Sequence, residues 1–178
     1  MLEKSVIALS ILISYFLQTS VSFFSLAGVK PDFLLILTIY FAVFRGSFSG
    51  LWIGFMGGLL QDFNLGGILD IQSNQMEFFT GIHALPKALV GFIVGKLSRN
   101  INKESPLIIS LMLFSASIGY GIFVFSSINI FHQDIAAEAF FTKIFPESIY
   151  NAILSVVWMK FLKWAMPSVY SVTSRRYL

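Results

Sequence analysis

The run RGSFSGLWIGFMGGLLQD, residues 45–62, places glycine at Gly46, Gly50, Gly54 and Gly58, one every four residues inside an apolar stretch. On a helix that spacing lines the glycines into one ridge without side chains. In lipid, apolar surface gains little by turning inward, so close backbone approach at such small-residue faces is what holds helices together. The spacing therefore predicts that this segment is the central packing helix of a membrane bundle. Gly91 and Gly95 repeat the device further along the chain, as Ser10 and Ser14 do near its start.

Composition agrees with a lipid environment. A soluble domain is about a quarter charged, whereas this 178-residue chain is 12% charged and 56% hydrophobic, with 20 Phe and a mean hydropathy of +0.80. So many large apolar side chains on so small a chain would leave adhesive patches in water. The expectation is a single integral membrane domain over residues 1–178. There is no cysteine, which removes disulfides, thiolate metal sites and catalytic thiols from consideration.

Hydropathy gives six candidate spans, about residues 6–26, 32–45, 47–62, 82–97, 107–130 and 149–164. The second and third are short against the roughly 20 residues that cross the hydrocarbon, and they read as a helical hairpin turning at Arg45-Gly46-Ser47. With the amino terminus inside, Lys4, Arg45, Lys96, Arg99, Lys103, Lys160, Lys163, Arg175 and Arg176 fall on the inner side. Against these nine stand the two outer lysines Lys30 and Lys143, with Lys87 left within a span. That asymmetry predicts both termini cytoplasmic, and it accounts for the basic balance without a nucleic-acid partner. The first span is too long for the apolar core of a secretory signal and no small-residue cleavage site precedes a soluble domain, so it is expected to remain a helix. Residues 133–147 carry Ile135, Ala139, Phe140, Ile144 and Phe145 near helical spacing, the pattern of an amphipathic helix at the outer interface. The basic tail fits an anionic lipid surface.

Charges within or at the edge of spans are the candidate functional residues, because a membrane charge is costly unless it pairs, snorkels or lines a cavity. These are Asp32, Arg45, Asp62 and Lys87. Asp62 and Lys87 fall at similar depth in adjacent spans, which predicts that they pair. His83 and His132, with Asp134, give the nearest approach to a metal site, but their spacing matches no helical ligand pair. No phosphate loop, nucleophile elbow or paired intramembrane aspartates occur, so no catalytic residue, metal or cofactor is assigned.

The sequence Lys30-Pro31-Asp32-Phe33-Leu34-Leu35, then Arg45-Gly46, Gly50, Gly54, Gly57-Gly58-Leu59-Leu60-Gln61-Asp62, Gly66-Gly67 and Gly81-Ile82-His83-Ala84-Leu85, followed by Gly91 and Gly95, resembles the MreD family. Its members are rod shape-determining proteins of bacteria. The resemblance covers about residues 29–99 by motif and the whole chain by length and charge layout. One departure is ILDIQSNQMEFFT, residues 68–80, which intervenes between the glycine turn and the His-Ala-Leu helix.

The resemblance implies a six-helix fold like that of the substrate-binding membrane subunits of energy-coupling-factor transporters. It implies a multi-pass protein of the bacterial cytoplasmic membrane and a non-enzymatic scaffold in cell elongation and peptidoglycan synthesis. The implied partners are the bitopic protein MreC and, in a larger elongasome complex, MreB filaments, RodA and the penicillin-binding protein PBP2. A vitamin-binding transport subunit is the alternative; its mark would be a polar cavity below the outer surface lined by Asp32, Asp62, Lys87 or His83, since a vitamin needs several placed polar groups.

Overall fold

The computed structural model describes residues 2–20, 25, 28–65, 67–70, 75–78, 81–103, 105–131 and 140–165. Six helices organise them: α1 (Leu2–Ser20), α2 (Phe33–Arg45), α3 (Ser47–Leu65), α4 (Ala84–Leu97), α5 (Pro106–Phe131) and α6 (Phe145–Ala165). A short 3₁₀ turn, Ser98–Asn100, follows α4, and a π-helical turn, Phe140–Ile144, leads into α6. Between α3 and α4 lies an antiparallel hairpin of β1 (Gly67–Asp70) and β2 (Gln75–Phe78), in register Gly67 with Phe78 through Asp70 with Gln75. The helices build the bundle, and the hairpin occupies most of the segment between the end of α3 and the turn that starts α4.

The central helix is α2, not the glycine-rich α3 that the sequence suggested. Every residue from Phe33 to Phe44 is buried, and a helix enclosed by protein need not match the thickness of the hydrocarbon. Its 13 residues span only about 20 Å at 1.5 Å per residue. The two polar side chains between Phe33 and Phe44 are satisfied without water: the Thr38 hydroxyl donates to Leu34 O at 2.7 Å and the Tyr40 hydroxyl to Leu162 O at 3.4 Å. Phe33 stacks edge-on against Trp158 of α6 at 5.0 Å between ring centres. By contrast α3 turns Phe48, Trp52, Met56 and Phe63 outward.

The glycine ladder joins α3 to α4. A Cβ at Gly50 would stand 2.6 Å from Gly91 O, one at Gly54 would stand 2.7 Å from the carbonyl carbon of Lys87, and one at Gly58 would stand 2.6 Å from His83 O. The fit is reciprocal, since a Cβ at Gly91 would lie 2.6 Å from the Gly50 carbonyl carbon and one at Gly95 would lie 2.5 Å from Ser47 N. Gly46 meets α4 with its backbone alone, its carbonyl carbon 2.8 Å from where a Cβ at Gly95 would stand. It links α2 to α3 with φ +96°, and nothing lies within 4 Å of the place its Cβ would occupy; its role is the tight turn that only glycine makes cheaply.

By length and composition, one described helical segment, Pro106–Ile128, is long and apolar enough to cross a membrane unaided; Ser5–Thr19 and Phe33–Arg45 are shorter apolar helices. Of the outer segment 133–147, residues 140–147 are described, as the π-helical turn and the start of α6, while residues 133–139 of the amphipathic helix expected there lie outside the described residues.

Candidate functional site

The chain begins α2 with Pro31-Asp32. The Asp32 carboxylate accepts the Leu35 amide at 2.8 Å and so caps the helix start, a common use of aspartate where the first amides lack helical acceptors. The same carboxylate meets Lys87 of α4, whose Nζ lies 2.7 Å from Oδ2 and 2.8 Å from Oδ1. Lys87 also donates to Gln61 Oε1 of α3, and its ammonium stands 5.2 Å from the centre of the Tyr120 ring of α5. Lys87 is wholly buried and Asp32 is 3% exposed. Buried charges of this kind persist only when paired and further hydrogen-bonded.

Asp62 has a different partner from the one its depth suggested. Its Oδ2 accepts the amides of Gly81 at 2.8 Å and Ala84 at 3.2 Å, and its Oδ1 accepts His83 N at 2.8 Å. The carboxylate at the end of α3 thus takes up the free amides at the start of α4, where the helix dipole also favours negative charge. Gly81, at φ +107°, provides the turn that aims them there. The expected Asp62–Lys87 pair is therefore replaced by two separate devices, an Asp32–Lys87 ion pair and an Asp62 cap. We expect Asp62→Ala to lower stability by about 1–3 kcal/mol through the buried amides it strands, read as a drop in thermal midpoint in detergent, whereas an unchanged midpoint would show that water replaces the carboxylate.

Several residues of the cluster carry no mark in the sequence beyond being polar in apolar runs. His83 Nδ1 and the Tyr120 hydroxyl lie 2.6 Å apart. Asn151 Oδ1 accepts the Asp32 amide at 2.8 Å, while its Nδ2 donates to Ser117 Oγ at 2.9 Å. Ser148, Asn151 and Ser155 are all buried on α6; their spacing of three and four residues marks one polar helix face. That periodicity was the available signal. Arg45 closes α2 at the opposite end of the bundle and takes no part. His132 and Asp134 lie outside the described residues, and among the described residues no group of three metal-ligating side chains assembles.

Beside this cluster is a cavity of about 560 Å³, bounded by Asp32, Gln61, His83 and Tyr120 on one side and by Lys30, Lys143, Glu147, Val124, Phe125 and Ile128 on others. Lys87 and Asp62 do not border it. Its walls join a few polar groups to a larger apolar area.

The order of these devices along the chain, the Pro-Asp cap, Arg-Gly turn, glycine ladder, Asp62 and the Gly81-to-Ala84 amides, is also the order of the motif. A family model described as rod shape-determining protein MreD matches residues 2–166. The chain belongs to the MreD family. No curated protein and no solved structure matches it. Membership makes this a membrane protein with a role in rod-shape determination, in a family of structural rather than catalytic proteins. The MreD motif reads physically as the set of parts that locks α2, α3 and α4 together.

Proposed function

We propose that this MreD-family chain is a non-enzymatic membrane scaffold of the cell-elongation machinery, which holds an MreC-like bitopic protein and connects MreB with RodA and PBP2. The observation that carries this reading is the family match over residues 2–166. Support comes from the consumption of both motif aspartates in internal bonds: Asp32 with Lys87, and Asp62 with three backbone amides. Such a bundle offers a rigid surface. In a rod-shaped host, depletion of the protein should give rounded cells with loss of lateral wall insertion; rods of normal width after depletion would refute the proposal.

The scaffold would cross the membrane six times with both termini cytoplasmic. Arg45, Lys96, Arg99, Lys103, Lys160 and Lys163 gather at the end of the bundle where α2, α4 and α6 finish, in keeping with the excess of basic residues on the inner side. Cysteine placed at exposed Asn100 should resist an impermeant thiol reagent in intact cells while cysteine at exposed Lys30 reacts. The reverse pattern would invert the topology.

A second reading is favoured by the cavity. Its volume of about 560 Å³ lies within the range of about 300–1,000 Å³ common for small-molecule sites, and Asp32, Gln61 and His83 border it. This is the arrangement a solute-binding subunit with the energy-coupling-factor fold would use. Weighing against it, the Asp32 charge is already met by Lys87.

A further inference from the structure

Helix α4 is both short and exposed. Its 14 residues rise about 21 Å at 1.5 Å per residue, against about 30 Å of hydrocarbon in a typical bilayer. The equally short α2 escapes that comparison because protein encloses it, but α4 turns Leu85, Leu89, Phe92, Ile93 and Leu97 outward. From Leu85 to Leu97 that apolar face covers only about 18 Å. The neighbouring face of α3, from Phe48 to Phe63, covers about 22 Å, so the two helices form one short wall. In a membrane protein, acyl chains must meet it.

Neither end of α4 can lengthen its face. At one end Gly81, with φ +107°, turns the chain back, and Asp62 holds the amides of Gly81, His83 and Ala84. At the other end the 3₁₀ turn follows and Ile101 is already extended. Lys96 and Arg99 are exposed there, and their long side chains can snorkel, which relieves the shortfall at that end only. His83, at the opposite end, is turned to Tyr120. Tilting shortens the reach of a helix across the bilayer, and sliding along α3 is blocked by the ladder, where Cβ atoms at Gly50, Gly54 and Gly58 would strike the α4 backbone.

Elsewhere the bundle is taller. Helix α6 has 21 residues, about 31 Å, and its exposed apolar side chains run from Phe145 through Ile149, Ile153 and Val157 to Trp164, about 28 Å. Lys160 is exposed near its end as Lys96 is on α4, so a snorkelling lysine serves both helices and does not account for the difference. An apolar surface shorter than the bilayer, with flanks that cannot reach, is met by thinning of the bilayer.

We propose that the bilayer is held thin along the wall of α3 and α4, which makes this face an interaction surface for short or compressed acyl chains, while α6 meets the bilayer at its ordinary thickness. A thinned patch also lowers the mismatch of any other short apolar helix that comes beside it, so the same wall favours lateral association. The inference rests on the membrane-spanning part of the proposed function, which cysteine labelling at Asn100 and Lys30 tests separately.

The test uses the full chain in liposomes. Because the chain has no cysteine, one cysteine can be placed at Leu89 on α4 or at Ile153 on α6, both exposed, and coupled to a fluorophore that brominated acyl chains quench. The host is brominated dioleoyl phosphatidylcholine, and unbrominated phosphatidylcholines compete with it for the positions beside each label. Relative to unbrominated dioleoyl phosphatidylcholine, the shorter dimyristoleoyl lipid should displace the quencher about threefold better at Leu89 than at Ile153, since short chains relieve the mismatch at α4 alone. Lys96→Leu, which lengthens the apolar face of α4 by about one turn, should bring the two labels closer together. The same chain-length preference at both labels would overturn the proposal, and so would a preference at Leu89 that Lys96→Leu leaves unchanged. Quenching at Ile153 but not at Leu89 would show that protein covers the wall, which also overturns it. Quenching at neither label would refute membrane insertion, and the inference with it.

Discussion

Lys87→Met is expected to destabilise the bundle by about 3–5 kcal/mol, because removing one member of a buried ion pair strands the other charge. Here the stranded group is Asp32, 3% exposed and held in place by its bonds to the Leu35 amide and, through its own amide, to Asn151. It cannot move to water without giving up the cap of α2. Adding Asp32→Asn should recover much of the loss, since the double variant leaves no uncompensated charge. The thermal midpoint in detergent reads both effects, and the coupling between the two sites should exceed about 1 kcal/mol, within the range for contacting residues. The corresponding cycle of Lys87→Met with Asp62→Asn should couple less. Stronger coupling to Asp62 than to Asp32 would restore the pairing that sequence depth suggested.

A comparable loss is expected from the smallest change at Gly54. Gly54→Ala adds one methyl group, but the methyl would meet the backbone of Lys87, with the carbonyl carbon at 2.7 Å. A side-chain neighbour could rotate away; a helix backbone must move as a whole. Separating α3 from α4 would also pull Gln61 from Lys87 and Asp62 from the start of α4, so the effect should reach or exceed the upper end of the usual 1–3 kcal/mol for overpacking. Gly54→Leu should then fail to accumulate as folded protein. Gly119 provides the control, because nothing lies within 4 Å of a Cβ there, and Gly119→Ala should keep normal abundance. If Gly54→Ala matches wild type in abundance and midpoint, α3 and α4 do not pack through the ladder.

The sequence made the helices and the ladder legible because both are local periodicities. Spacing by four residues determines which glycines share a face, and hydropathy determines where apolar helices run. It did not say which neighbour each face meets. Hydropathy put Asp62 and Lys87 at similar depth, but the ladder sets Lys87 against Gly54, about two turns along α3 from Asp62, and the angle around each helix also decides the partner. The start of α2 lies beside Lys87, so Asp32 takes the lysine while the amides of Gly81, His83 and Ala84 take Asp62.

The central position was misread for a related reason. A glycine-rich face shows that two helices touch closely, whereas full enclosure shows in a helix that can be apolar all round, as α2 is from Phe33 to Phe44. Asn151, Ser117 and Tyr120 were passed over because isolated polar residues in apolar spans carry little signal until their partners are known. The β1–β2 hairpin had a visible trace, the alternation of Gln75, Met76, Glu77 and Phe78, a period that belongs to strands.

The scaffold proposal stands most directly on what accompanies the protein out of its own membrane. Purified in mild detergent from native cells and analysed by mass spectrometry for bound proteins and small molecules, the chain should bring with it an MreC-like bitopic protein in near-stoichiometric amount, and the 560 Å³ cavity should carry no stoichiometric solute. Recovery of a tightly bound vitamin-sized molecule with no bitopic partner would contradict the scaffold and establish the solute-binding reading in its place.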